Sequence, residues 1–148
     1  MKISSLTDIG NTREMNQDYL YSSEESVGKL PNLFLVADGM GGHKAGEFAS
    51  RYVVEHIVRS IKGSKEEEAV RILSESIETA NRKLKEYADA HQQMRGMGTT
   101  IVAAVIQGRT LLVANVGDSR LYIVGDEITQ VTQDHSCLLY TSPSPRDL

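Results

Sequence analysis

Three carboxylates in this chain lie where a divalent cation could be held. Asp38 follows the apolar run Leu33 to Ala37 and opens the stretch Asp38-Gly39-Met40-Gly41-Gly42-His43. Three glycines in four positions let backbone groups approach a ligand closely. A helix beginning near His43 would turn its amide-rich end toward an anion. Asp18 closes Arg13-Glu14-Met15-Asn16-Gln17-Asp18, where the Arg13 guanidinium could grip phosphate oxygens through paired donors. Asp118 lies in Gly117-Asp118-Ser119-Arg120. Carboxylate and carbonyl oxygens favour Mg²⁺ or Mn²⁺ over Zn²⁺. Two such ions sharing a water would lower its pKa and aim it at phosphorus. His43 could then protonate the leaving oxygen. These residue types point to metal-assisted phosphoester chemistry.

Each motif also has a plainer reading. Asp38–His43 could be an ordinary strand–turn–helix connection, Arg13 and Asp18 surface residues of a turn, and Gly117-Asp118 a hairpin turn without a task. The glycine stretch is not a dinucleotide fingerprint, because Lys44 stands where the third glycine belongs, and no Gly-Lys-Ser/Thr follows to make a P-loop. Asp134-His135-Ser136 is not a catalytic triad: triad members meet in space, and no G-x-S-x-G elbow is present. Asp134 or Ser136 reads instead as the cap of a following helix. His56 and His91 lack a second ligand at i+4 and read as packing or surface residues.

The elements that must position these groups follow from hydrophobic periodicity. Lys2–Ile9, Asp18–Ser22 and Asn32–Ala37 read as strands, the last buried on both faces and stopped by the glycine stretch. Ala49, Tyr52, Val53, Ile57 and Ile61 share one face of a helix that ends at Gly63, with Ser64 placed to cap the next. Leu73, Ile77, Ala80, Leu84 and Tyr87 mark that second helix, whose other face is charged. Thr99–Ile106, Thr110–Val116, Arg120–Val124 and Glu127–Val131 are separated by short glycine-containing turns, the signature of an antiparallel meander. Strands, a helix pair and a meander define an α+β chain.

Composition bounds the rest. The chain has 148 residues, with 16 Lys and Arg against 20 Asp and Glu and a net charge of −4, which argues against a nucleic-acid binder working by bulk charge. Hydrophobic residues at 40% and charged residues at 24% suit a globular core. A single Cys excludes an intrachain disulfide and a Cys-based zinc site. The N-terminus carries no signal-peptide pattern, and the longest apolar run, Ile101 to Ile106, is far short of a membrane span. A cytoplasmic protein is expected. The only Cys and two of the three prolines fall in Cys137 to Leu148, where apolar periodicity stops; 137–148 reads as a non-native or disordered tail.

Five motifs in order carry a resemblance: R-x-x-N-Q-D at Arg13–Asp18, V-A-D-G-M-G-G-H at Val36–His43, G-T-T at Gly98–Thr100, G-D-S-R at Gly117–Arg120 and T-x-D-H-S at Thr132–Ser136. The set resembles the PP2C-type (PPM) serine/threonine protein phosphatases of the bacterial branch, over residues 1–136. The resemblance implies an α-β-β-α sandwich of two antiparallel sheets flanked by helices, with a binuclear Mn²⁺ or Mg²⁺ site between the sheets. It assigns Asp38 as the bridging carboxylate, Gly39 as a carbonyl donor and Asp18 as the holder of metal-bound water. It assigns Asp118 to a further, weaker metal, Arg13 to phosphate binding and His43 to general-acid work. The implied reaction is direct hydrolysis of phosphoserine or phosphothreonine in proteins, by a monomer with no nucleic-acid or membrane partner, opposite a Hanks-type Ser/Thr kinase. In the family the chain continues into Asp-Gly and Asp-Asn motifs that complete the metal site, and neither follows Ser136 here. The expectation is therefore an N-terminal part of the domain, truncated on its C-terminal side, with catalysis impaired. Uncovered apolar faces and unpaired sheet edges are expected with it. The alternatives are a non-catalytic phosphate- or metal-binding module and a phosphohydrolase of small molecules.

Overall fold

A computed structural model describes residues 2–7, 16–42, 44–133 and 138–143, the last segment as backbone. The main sheet is antiparallel, ordered β1 (Asp18–Ser23), β2 (Leu33–Met40), β4 (Ile101–Gln107), β5 (Thr110–Val116) and β8 (Leu138–Pro143). A two-residue strand, β3 (Gly98–Thr99), continues the pairing along the far end of β2. The helices α1 (Ala45–Gly63) and α2 (Ala69–Ala90) lie on one face. A separate hairpin, β6 (Tyr122–Val124) and β7 (Ile128–Gln130), packs on the other. The α+β reading holds, with helices outside one sheet and the start of a second antiparallel layer across it.

Alternation on β2 decides which residues reach the site. Leu33, Leu35 and Ala37 are buried toward the helices, where Ala49, Val53, Ile57 and Ile61 of α1 meet Leu73, Ile77, Ala80 and Leu84 of α2. Phe34, Val36 and Asp38 therefore belong to the opposite face. There Phe34 and Ile106 join Ala104, Leu111 and Val113 against Ile123 of the hairpin and Leu121 and Val131 next to it. That second layer is partial. Val36 remains 45% exposed, and a groove of about 170 Å³ lies among Leu20, Phe34, Val36, Val102 and Leu121. Asn32, at the opposite end of β2 from β3, acts as a strand residue with its side chain: its Nδ2 donates to the Ile106 carbonyl (2.8 Å), and the Ile106 N–H donates to its Oδ1 (2.7 Å).

The structure departs from the sequence reading at several points. Residues 2–7 form no strand. β2 does not stop before the glycine stretch; it runs through Asp38, Gly39 and Met40, because Gly98 and Thr99 supply the pairing partners that glycine in a strand otherwise lacks. Ser64 does not cap α2. Its Oγ accepts from the Glu66 N–H (3.2 Å) in a local turn, and α2 begins at Ala69 after Glu68, without a side-chain cap. Where the sequence reads as an irregular tail, Leu138–Pro143 pairs with the outer edge of β5, from Thr110↔Pro143 to Asn115↔Leu138. An open strand edge accepts any extended backbone, so the edge expected to be bare is covered on that side. On the other side, β1 has no outer strand partner among the described residues. The expected cap at Asp134 or Ser136 lies outside the described residues.

Candidate active site

Asp18 and Asp38 are opposite each other in the β1–β2 register. Opposed residues of antiparallel strands send their side chains to the same face, with Cβ atoms roughly 4.5–5.5 Å apart. Two half-buried carboxylates thus share one spot at the end of the hairpin-side face. Like charges so placed repel by an amount on the order of 1 kcal/mol when solvent screens them. A cation converts that repulsion into binding energy.

Residues flanking each carboxylate hold it in place. The Asn16 Oδ1 accepts from the Asp18 N–H (3.0 Å), and its Nδ2 donates to Thr7 Oγ1 (2.7 Å). That Asx-type turn launches β1 with Asp18 at its first position. Gln17 reaches across to the glycine stretch, donating from Nε2 to the Gly41 carbonyl (3.3 Å), while its own carbonyl accepts from the Gly39 N–H (3.0 Å). On the other side of β2 stands Thr100. Its N–H donates to the Asp38 carbonyl (2.9 Å), and its Oγ1 accepts from the Asp38 N–H (3.1 Å). The same Oγ1 lies 2.6 Å from Ser119 Oγ, next to Asp118. Motifs separated by some sixty residues in sequence are joined here side by side.

Gly39 and Gly41 stand where neighbours approach closely. A Cβ on Gly39 would lie 1.8 Å from the Gly46 carbonyl oxygen. Gly41 has φ +146°, a conformation side chains disfavour. Beyond this loop, α1 starts at Ala45, two residues later than expected, with Lys44 as an N-cap that makes no side-chain bond. A cavity of about 390 Å³ lies beside it, between Gly42, Lys44 and Ala45 and the turn residues Gln93 and Met94.

Of the residues singled out from sequence, Asp18, Asp38 and Gly39 come together, and the exposed Asp118 is tied to them through Ser119 and Thr100. Arg13 and His43 lie outside the described residues. Among the described residues no group of three or more His, Cys, Asp or Glu gathers around one point. The donors present fit a hard cation in kind, as carboxylate and carbonyl oxygens, but make a partial coordination set. Sequence reasoning gave no role to Asn16, Gln17, Thr100 or Ser119. They lay inside the motifs, but their partners could not be read there. His56 is half-buried and His91 is exposed, within the expected packing or surface reading. His56 rests on Tyr52 (4.1 Å between ring centroids) and His91 stacks on Tyr87 (3.9 Å). No described helix is long and apolar enough to cross a membrane.

The chain is a layered α+β domain with an acidic pair and a glycine-lined backbone contact at one end of its sheet. Residues 11–139 match the family described as Protein phosphatase 2C, and the chain belongs to it. The chain is 39% identical over 139 residues to a serine/threonine phosphatase of Listeria innocua, covering 88% of this chain and 53% of that protein. Among solved structures it resembles a serine/threonine phosphatase of Staphylococcus aureus (TM-score 0.76, 35% identity, 88% of this chain and 52% of that one). It also resembles the catalytic domain of the phosphatase PstP, solved in complex with two manganese ions (TM-score 0.73, 32% identity, 86% and 53%). The chain therefore spans about half the length of the relatives it matches.

Proposed function

We propose that residues 1–136 are the N-terminal part of a metal-dependent protein phosphatase that hydrolyses phosphoserine or phosphothreonine, and that 137–148 are not native to that domain although the backbone of Leu138–Pro143 extends its sheet. The observation that carries this reading is the Asp18–Asp38 pair, in register beside a glycine that no side chain could replace. Family membership supports the reaction class, and the manganese-bound relative supports a divalent ion, Mn²⁺ or Mg²⁺.

In this reading Asp38 and the Gly39 carbonyl would hold the two ions, and the opposed Asp18 would accept hydrogen bonds beside them. When bound, the ions supply a nucleophile at neutral pH and neutralise phosphate charge. Asp118, on its exposed turn, serves a further, weaker ion. Arg13 orients the phosphoryl group through two parallel N–H donors. His43 holds the proton that the leaving seryl or threonyl oxygen requires. The partners are phosphorylated proteins and the kinase that makes them, in the cytoplasm, met by a monomer.

The test is Mn²⁺-dependent phosphopeptide hydrolysis by a form extended to the relatives' full length. Activity that disappears with Asp38→Ala is the expected result. No activity, or activity indifferent to that substitution, overturns the reading. A second reading concerns this chain alone: a non-catalytic metal- or phosphate-binding module. The two-carboxylate set favours it. Calorimetric Mn²⁺ titration of the 148-residue chain separates the two. Tight binding of two ions with metal-dependent turnover would refute the module.

A further inference from the structure

A buried polar junction beside the site is at Thr100, which is 4% exposed. It lies at the break between β3 and β4, opposite Asp38 in the register that pairs Val36 with Val102 and Gly39 with Thr99. A regular ladder would leave this step to backbone alone. Here the Thr100 N–H takes the Asp38 carbonyl, and its hydroxyl takes the Asp38 N–H. Accepting that bond leaves the hydroxyl proton available for Ser119 Oγ, 2.6 Å away. The contact is enforced sterically from the other side. Gly117 has φ +101°, and a Cβ there would lie 2.6 Å from Thr100 Cγ2. The Gly-Asp-Ser turn can therefore press onto Thr100 only because its first residue lacks a side chain.

We propose that Thr100 is a positioning residue that locks Asp38 and the Asp118-bearing turn into one frame. One hydroxyl fixes the backbone of the first carboxylate and, through Ser119, the placement of the second. A change at either place is thereby felt at the other. This rests on the reading of Asp38 as an ion ligand, but the frame itself exists without metal.

The experiment uses the 148-residue chain with Thr100→Val, Thr100→Ser, Ser119→Ala and the Val/Ala double variant. Two quantities are read: amide hydrogen exchange at Asp38 in metal-free protein, and Mn²⁺ affinity from the electron paramagnetic resonance of free Mn²⁺. Loss of one buried hydrogen bond predicts about tenfold faster exchange at Asp38 and about tenfold weaker Mn²⁺ binding in Thr100→Val. Thr100→Ser keeps the hydroxyl and returns both within about threefold of the parent. Ser119→Ala weakens Mn²⁺ binding, and the double variant is no weaker than Thr100→Val alone, the non-additivity expected of one network. Parent-like exchange at Asp38 in a folded Thr100→Val chain overturns the proposal. So does failure of Ser to rescue, or strict additivity of the two substitutions. If Thr100→Val does not fold, Ser119→Ala and Thr100→Ser decide the matter. If the parent binds no Mn²⁺, the partial ligand set of this chain does not hold the ion by itself, and the exchange data alone judge the frame.

Discussion

Replacing Gly39 with alanine tests the backbone contact on which the site is built. The added Cβ would stand 1.8 Å from the Gly46 oxygen, 2.6 Å from its carbonyl carbon and 3.1 Å from the Gln17 oxygen. All three are backbone atoms of α1 and of the segment entering β1, so no rotamer change relieves the clash. Reaching even 3.0 Å requires β2 and the start of α1 to part by about 1.2 Å. Overpacking of this severity belongs at the upper end of the usual range, about 3 kcal/mol, or a fall in Tm of roughly 6–12 °C for a domain of this size. Gly42→Ala is the control, since nothing lies within 4 Å of its added Cβ; it should melt within about 2 °C of the parent. Gly46→Ala makes a sharper comparison. The three atoms nearest its Cβ would all belong to the Gln17 side chain, at 2.5 Å for Cδ and Nε2. Gln17→Ala should therefore rescue Gly46→Ala but not Gly39→Ala. Circular-dichroism melts of the five variants, with and without Mn²⁺, decide it. Parent-like melting of Gly39→Ala, or its rescue by Gln17→Ala, would show that strand and helix are not in the contact described.

Two further outcomes are expected. Asp18→Asn removes one of the two opposed carboxylates. It should lose most of the stabilisation that Mn²⁺ gives, which differential scanning fluorimetry in EDTA and in Mn²⁺ will show. Burial holds the His56 imidazole below its ordinary 6.5, with Arg59 and Lys83 lowering it further and Glu55 opposing. Its unfolded form therefore takes up a proton first. The stability of the neutral ring is complete above 6.5 and declines as pH falls from there through the folded value. His56→Gln should flatten that part of the stability–pH curve in urea titrations between pH 7.5 and 5.

The sequence alone carried the elements and the identity of the carboxylates, because both are local signals. A 3.6-residue period in α1 and α2, near-continuous apolar runs in β4 and β5, and an Asp followed by glycines can each be read within a short window. What it could not carry was pairing. That Asp18 faces Asp38 depends on the β1–β2 register, and the continuation of β2 through Gly39 depends on β3, a strand of two residues with no periodicity to detect. The carboxylates are chemistry that one residue type declares. Thr100, Gln17 and Ser119 are ordinary polar residues whose meaning lies in partners up to 62 positions away. The glycines show the same division. Their permissiveness is evident from composition, but only the fold shows that Gly39 is required by a helix carbonyl rather than by a turn. Residue type fixed which atoms could hold a cation, and tertiary contact decided which of them meet.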